Sequence, residues 1–258
     1  MSNHITVKWA DLLRLSKFDV CKELTLSLPW LIASWFFAFR GQYWPALACS
    51  FMFFLTGLRQ THNAYHYTLG LSRRSTHWVM FGLSILMLGS MHSVQINHLR
   101  HHRYCMDDED IEAMSARLTW WKSILVGPLF PIRLHRKAIE VGTPGQRNWI
   151  FAELGANTLW IAVVFGVLQI SWLKYHICVM AIGQCLTAFF AVWTVHHGCD
   201  TSETLARTIR GRIKALITYN MFFHAEHHMF PTVPTCKLFV LAQRLDAAAP
   251  KRTTKRVF

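Results

Sequence analysis

Charged side chains are scarce in this chain. Only 16% of its 258 residues are Asp, Glu, Lys or Arg, against about 25% in a typical soluble domain, which argues against an ordinary globular enzyme. Negative charge is the scarcer sign, with 14 acidic residues against 27 basic ones and a net charge of +13. The seven cysteines contain no CxxC pair and their number is odd, so a disulfide framework is not expected and a reducing compartment is. The N-terminus lacks a cleavable signal pattern, opening instead on polar and charged residues such as Lys8, Asp11 and Arg14. Repeats, Gly/Ser linkers and low-complexity tracts are missing too, and only the basic tail from Lys251 to Arg256 reads as disordered. What the chain does have is apolar bulk: 52% hydrophobic residues, with 18 Phe and 11 Trp. These figures imply one membrane domain over residues 1–258, with a core at about 24–241 and a basic tail at 250–258. Its positive excess then suits an anionic membrane surface better than nucleic acid.

Charges punctuate the apolar runs. Leu24 to Phe39 closes at Arg40 and Gly41 to Leu58 closes at Arg59; Leu154 to Leu173 and Tyr175 to Cys199 are separated by Lys174. Each is near the lower limit of a span, so the pattern predicts an all-α integral membrane protein with four transmembrane helices in two hairpins. Trp78 to Met91 is apolar over only 14 residues, which fits a buried, re-entrant or interfacial helix. Ser123 to Ile132, behind Trp120 and Trp121, is expected in the interface. With two hairpins, only Arg40 and Lys174 lie on the far side, leaving the other 25 Lys and Arg residues with both termini. The positive-inside rule puts that side in the cytoplasm. In a bacterium the membrane would be the inner one.

Histidine is the unusual residue, with 15 copies. Ten fall into four groups at predicted helix ends: His62/His66, His98/His101/His102, His196/His197 and His224/His227/His228. Spacings of three and four bring imidazoles to one side of a helix. His4, His77, His92, His135 and His176 stand alone and are read as structural or solvated. Burying clustered imidazoles without partners is costly, whereas imidazole is the commonest metal ligand. Eight to ten such ligands exceed the needs of one ion, so two are expected. Structural zinc commonly uses thiolates, and no cysteine lies at ligand spacing within a group. Zinc-protease HExxH is absent because Asn63 follows His62. Candidate partners that orient the imidazoles are Asn63, Asn97, Asn220 and Glu226. The acidic run Asp107 to Asp110 reads mainly as a solvated loop able to pair with nearby arginines.

These residues resemble the membrane fatty-acid desaturase superfamily, which holds desaturases, hydroxylases and carotenoid ketolases. Its pattern is HxxxH or HxxxxH followed by two HxxHH boxes, matched here by His62/His66, His98/His101/His102 and His224/His227/His228. The stretch Tyr219 to Pro234, with Arg207-Thr-Ile-Arg210 before it, is similar to bacterial members almost residue for residue. The likeness runs from about Phe51 to Leu241. It implies two iron ions on the cytoplasmic side as cofactors and dioxygen as co-substrate. It also implies one further ligand at the end of the fourth span, where His196 matches best, His197 is one step away, and Val195 replaces the usual acid. No catalytic group beyond the metal ligands is implied. The expected reaction is desaturation of a fatty-acyl or similar lipid chain, with hydroxylation or ketolation of a lipid or carotenoid as the alternative on the same ligands. No fused cytochrome-like module and no haem, flavin or Fe–S motif is visible, so electrons are expected from a ferredoxin or cytochrome with its reductase. A non-catalytic metal-binding or transport protein is the competing class. It is disfavoured because transport calls for ionisable residues at mid-membrane depth, and the predicted spans are nearly free of them.

Overall fold

The computed structural model describes residues 7–200, 205–250 and 254–258; His4 and the start of the basic tail lie outside them. The described residues are helical, with one isolated parallel bridge between Thr208 and Arg256. A capping box, in which Ser16 and Asp19 exchange side-chain and backbone bonds, starts α1 (Lys17–Thr25). Next come α2 (Leu28–Phe39) and α3 (Tyr43–Tyr65), a hairpin whose two arms pack along each other. A second hairpin is formed by α8 (Pro144–Leu168) and α9 (Ser171–His196). Between the hairpins lie α4 (Arg73–Met87), α5 (Met91–Tyr104), α6 (Trp120–Leu125) and α7 (Leu129–Val141). The C-terminal part holds α10 (Arg212–Ile217), α11 (His224–Met229) and α12 (Leu238–Ala248).

Among the described residues, two helices, α8 and α9, are long and apolar enough to cross a membrane. The count is three if α4 and α5, bent by 111° at their junction, form one broken span. At 1.5 Å per residue, α2 with its 12 residues is only about 18 Å long, short of the ~30 Å hydrocarbon core. α3 reaches 23 residues, but Arg59, Gln60 and His62 occupy its last third. The second hairpin starts at Pro144, ten residues before the expected Leu154, behind a Thr143–Gln146 capping box. Its turn falls at Gln169, in left-handed conformation (φ 55°), rather than at Lys174, which sits in the first turn of α9. Three hydroxyls join the hairpins: Ser34 lies 2.7 Å from Ser50, which lies 3.1 Å from the Tyr175 hydroxyl. Such interhelical bonds contribute about 0.6 kcal/mol each in a bilayer.

The α4–α5 junction is a broken helix, and four of its freed backbone groups are taken up by side chains. Leu88 turns left-handed (φ 56°) and ends α4. On the carbonyl side, His176 Nε2 donates to Leu86 O at 2.9 Å and Gln184 Nε2 donates to Met87 O at 2.7 Å. On the amide side, Ser90 N–H donates to His135 Nε2 at 3.0 Å and His92 N–H to Glu153 at 3.1 Å. Glu153 also accepts from Ser90 Oγ at 2.6 Å and from His92 Nδ1 at 2.7 Å. Irregular backbone at membrane depth survives only when its polar groups are satisfied internally. His92, His135 and His176 therefore have structural work in this bend. The expectation that the spans carry almost no ionisable group needs correcting at Glu153, which lies within α8 and is fully buried.

The apolar core of the first hairpin, with Leu31, Phe53, Met80, Met87 and Met180, holds α2, α3, α4 and α9 together. A second cluster, including Phe223, Leu238, Leu241 and Leu245, anchors the C-terminal helices. Thr208 N–H donates to Lys255 O and Val257 N–H donates to Thr208 O, both at 2.9 Å. The described end of the basic tail is thus paired rather than disordered.

Candidate metal centre

Four chain segments deliver histidines to one place. His62 and His66 come from the end of α3, and His98, His101 and His102 from α5. His196 ends α9, and His224, His227 and His228 lie on α11. The nine imidazoles sort into two groups. In the first, ligand nitrogens of His62, His66, His98 and His227 all lie within 4.8 Å of one another. His102 joins it, its Nε2 2.8 Å from that of His227 and 3.2 Å from that of His98. The second group is His101, His196, His224 and His228, again within 4.8 Å.

Helix periodicity explains the sorting. Each i, i+4 pair (62/66, 98/102 and 224/228) stays together on one face. The second histidine of each HxxHH box, at i+3, crosses to the other group: His101 joins 224/228, and His227 joins 62/66 and 98/102. Each group therefore draws on three segments.

The hydrogen bonds behind the rings define where the free nitrogens are. His101 Nδ1 donates to Asp110 at 2.7 Å, His98 Nδ1 to Glu112 at 2.9 Å, and His196 Nδ1 to the Leu205 carbonyl at 2.7 Å. With the proton on Nδ1, each Nε2 carries a bare lone pair. His101 Nε2 and His196 Nε2 then face each other at 3.0 Å. His62 Nε2 is buried with no hydrogen-bond partner. Converging neutral lone pairs repel unless a cation sits among them, so the donor set fits metal ions. Burial, reinforced by neighbouring imidazoles, holds His224, His227 and His228 well below the usual histidine range, which keeps them in the neutral form a metal requires.

The orienting groups are not those expected from spacing. Asn63 donates to Glu23 at 2.9 Å and accepts from Thr235 Oγ1 at 2.6 Å. Asn97 donates to the Ser93 and Leu134 carbonyls, both at 2.8 Å. Glu226 pairs with Arg210 at 2.7 Å and accepts from Thr208. Asn220 sits in a left-handed turn (φ 63°) before α11. His197 points away from the groups, with its Nδ1 3.1 Å from Ala116 O and its ring stacked on Trp193. In the acidic run, Glu109 pairs with Arg100 at 2.9 Å as expected of it, but Asp110 is buried rather than solvated. Burial raises Glu112 to about 7, against the lowering effect of His101. For Asp110, burial works upward, but the His101 bond and the Met106 and Ala113 amides bring it below the usual carboxylate range. One signal for both was present in the sequence: carboxylates within a dozen or so residues of an HxxHH box can fold back onto it.

An apolar cavity opens beside the rings. His62, His98, His224 and His227 form part of its wall, together with Leu58, Val94, Phe190, Val192 and Leu238. Phe190 and Val192 belong to a π-helical segment, Ala188–Trp193, in α9; such wide turns are frequent at functional sites.

A helical membrane scaffold with two imidazole groups against an apolar cavity defines a class, the membrane proteins whose histidine groups could hold metal. Comparison with known families makes it specific: the Fatty acid desaturase family matches residues 27–257, and this chain belongs to it. Comparisons with curated proteins and with solved structures find no match. Membership makes the protein a membrane oxidoreductase of the desaturase/hydroxylase type.

Proposed function

We propose that the protein removes two hydrogens from a long acyl chain, consuming dioxygen and externally supplied electrons. The observation that carries this reading is the pair of imidazole groups lining the wall of an apolar cavity. In this reading His62, His66, His98, His102 and His227 hold one iron, and His101, His196, His224 and His228 hold the other. Nitrogen-rich sites suit iron, and the pair would supply the dioxygen chemistry that breaks an unactivated C–H bond. Balance requires one dioxygen, two electrons and two protons per double bond, with two waters released.

This chain's own residues do the rest. Asp110, Glu112 and the Leu205 carbonyl hold the Nδ1 protons and thereby aim each Nε2 inward. Leu58, Phe190 and Leu238 keep water from the cavity and present a methylene chain to the histidine wall. We infer further that α2 and α3 are embedded beside α8 and α9, giving four crossings. Outward-facing Ile32, Phe36 and Phe51 support this. The bend of α4–α5 then reads as re-entrant, since His66 and His98 must meet on one side at 3.0 Å. Basic-residue asymmetry favours the cytoplasm as that side. A ferredoxin or cytochrome with its reductase is the expected donor.

The test supplies dioxygen, a reductase chain and labelled acyl lipid to the purified protein. Products two hydrogens lighter support the proposal. Products one oxygen heavier select a hydroxylase on the same ligands, and oxygen-independent turnover discards both. Binding of metal without turnover of any lipid would leave a metal-binding protein.

A further inference from the structure

A short helix in the C-terminal part exposes more apolar surface than a water-facing element should. Within α10, Ile213, Leu216 and Ile217 are 74%, 76% and 65% exposed. Their spacing of three and four places them on one ridge, while Ala215 is buried on the inner side. Cationic side chains flank the ridge: Arg212 and Lys214 are exposed, and Lys214 Nζ lies 2.9 Å from Phe258 O and 5.1 Å from the Phe258 ring. Phe258 is itself 56% exposed. The neighbouring tail adds Lys255 and Arg256, also exposed.

The position of α10 decides what covers the ridge. Trp30 Nε1 donates to the Tyr219 hydroxyl at 3.1 Å, tying the turn after α10 to the first turn of α2. That turn carries outward-facing Leu28, with Ile32 following one turn later. The ridge therefore lies where an apolar hairpin begins, next to an indole–phenol pair of the kind found at membrane boundaries. An apolar ridge flanked by cations, held at that level, has the chemistry of an interfacial helix.

We propose that the α10 ridge is immersed in the headgroup–acyl boundary of an anionic bilayer. Two and three residues past Tyr219, Met221 and Phe222 line the histidine cavity, so immersion sets the edge of the leaflet beside that cavity. This concerns the surface alone and stands apart from the reaction.

Photo-cross-linking tests it on the full chain in nanodiscs of phosphatidylcholine with phosphatidylglycerol. Leu216→p-benzoylphenylalanine and Ile213→p-benzoylphenylalanine each place the probe on the ridge, and Asp108→p-benzoylphenylalanine places it in an exposed polar turn. Metal content equal to that of the unsubstituted chain certifies the fold of each variant. The expected result is a phospholipid-mass adduct at the ridge positions, several-fold above the yield at position 108. A chain–chain adduct at the ridge would assign the surface to a second copy and overturn the proposal. No adduct, or equal lipid yields at all three positions, would overturn it as well.

Discussion

At the scale of single residues, the proton on Nδ1 is the controlling detail. Asp110 and Glu112 each fix the tautomer of one imidazole, and loss of such a partner typically lowers metal affinity about 10–100-fold. Asp110→Asn and Glu112→Gln should therefore lower metal occupancy in purified protein, read by metal analysis under competing chelator. Glu226→Gln should leave metal affinity nearly unchanged and act on stability instead, because its partners are Arg210 and Thr208. His196→Ala should empty the second imidazole group, whereas His197→Ala should lose far less, since His197 packs on Trp193. Equal, mild effects of the two would remove His196 from the ligand set. A pH effect arises far from the centre. The hydrogen-bonded Arg244 guanidinium holds Asp11 down at about 2, and this carboxylate joins the N-terminal turn to α12 through two bonds of 2.8 Å. A depressed carboxylate stabilises the fold above its unfolded value and loses that contribution as pH falls through the folded one. The thermal midpoint in detergent should thus drop as pH falls from about 4 to about 2, and Asp11→Asn should flatten that part of the curve.

At the scale of elements, the decisive one is the broken α4–α5 pair. Glu153 takes three donors at the bend, all from Ser90 and His92, and α5 carries three of the nine clustered histidines. Glu153→Gln keeps the volume but removes the charge, and an unsatisfied buried group costs about 1–3 kcal/mol. A lower thermal midpoint with reduced metal retention is expected, because the bend positions α5. Topology is checked in the same region. In a background with the native cysteines replaced, cysteine labels at the exposed positions 72 and 108 should report the same side of the membrane. Opposite sides would make α4–α5 a true crossing.

At the scale of the molecule, the proposed reading of the two imidazole groups predicts about two irons per chain. Metal analysis returning one zinc and no iron would overturn that reading. Chelation should also lower the thermal midpoint, because neutral lone pairs would then face each other across both groups. The net charge of +13 should speed encounter with an acidic electron donor and make that rate fall steeply with salt. A rate independent of ionic strength would exclude electrostatic docking.

The division between sequence and tertiary structure follows from the range of each interaction. Spacing along one helix is local, so the three boxes, their i, i+4 pairing and the family were legible from residues such as His98, His101 and His102 alone. Hydropathy is local too, and it marked both hairpins, though not their ends: Glu153 reads as a stop in sequence yet lies inside α8, because its charge is spent on the α4–α5 bend. Which box meets which was not legible. A helix presents two imidazoles on one face and a third beside them, but the partner that each face meets comes from 28 to 127 residues away. The choice of His196 over His197, and of Asp110 and Glu112 over Asn63 and Asn97, has the same origin. A ring nitrogen is oriented by whatever the folded chain places behind it, and only the packed structure brings a loop carboxylate or the Leu205 carbonyl to that spot.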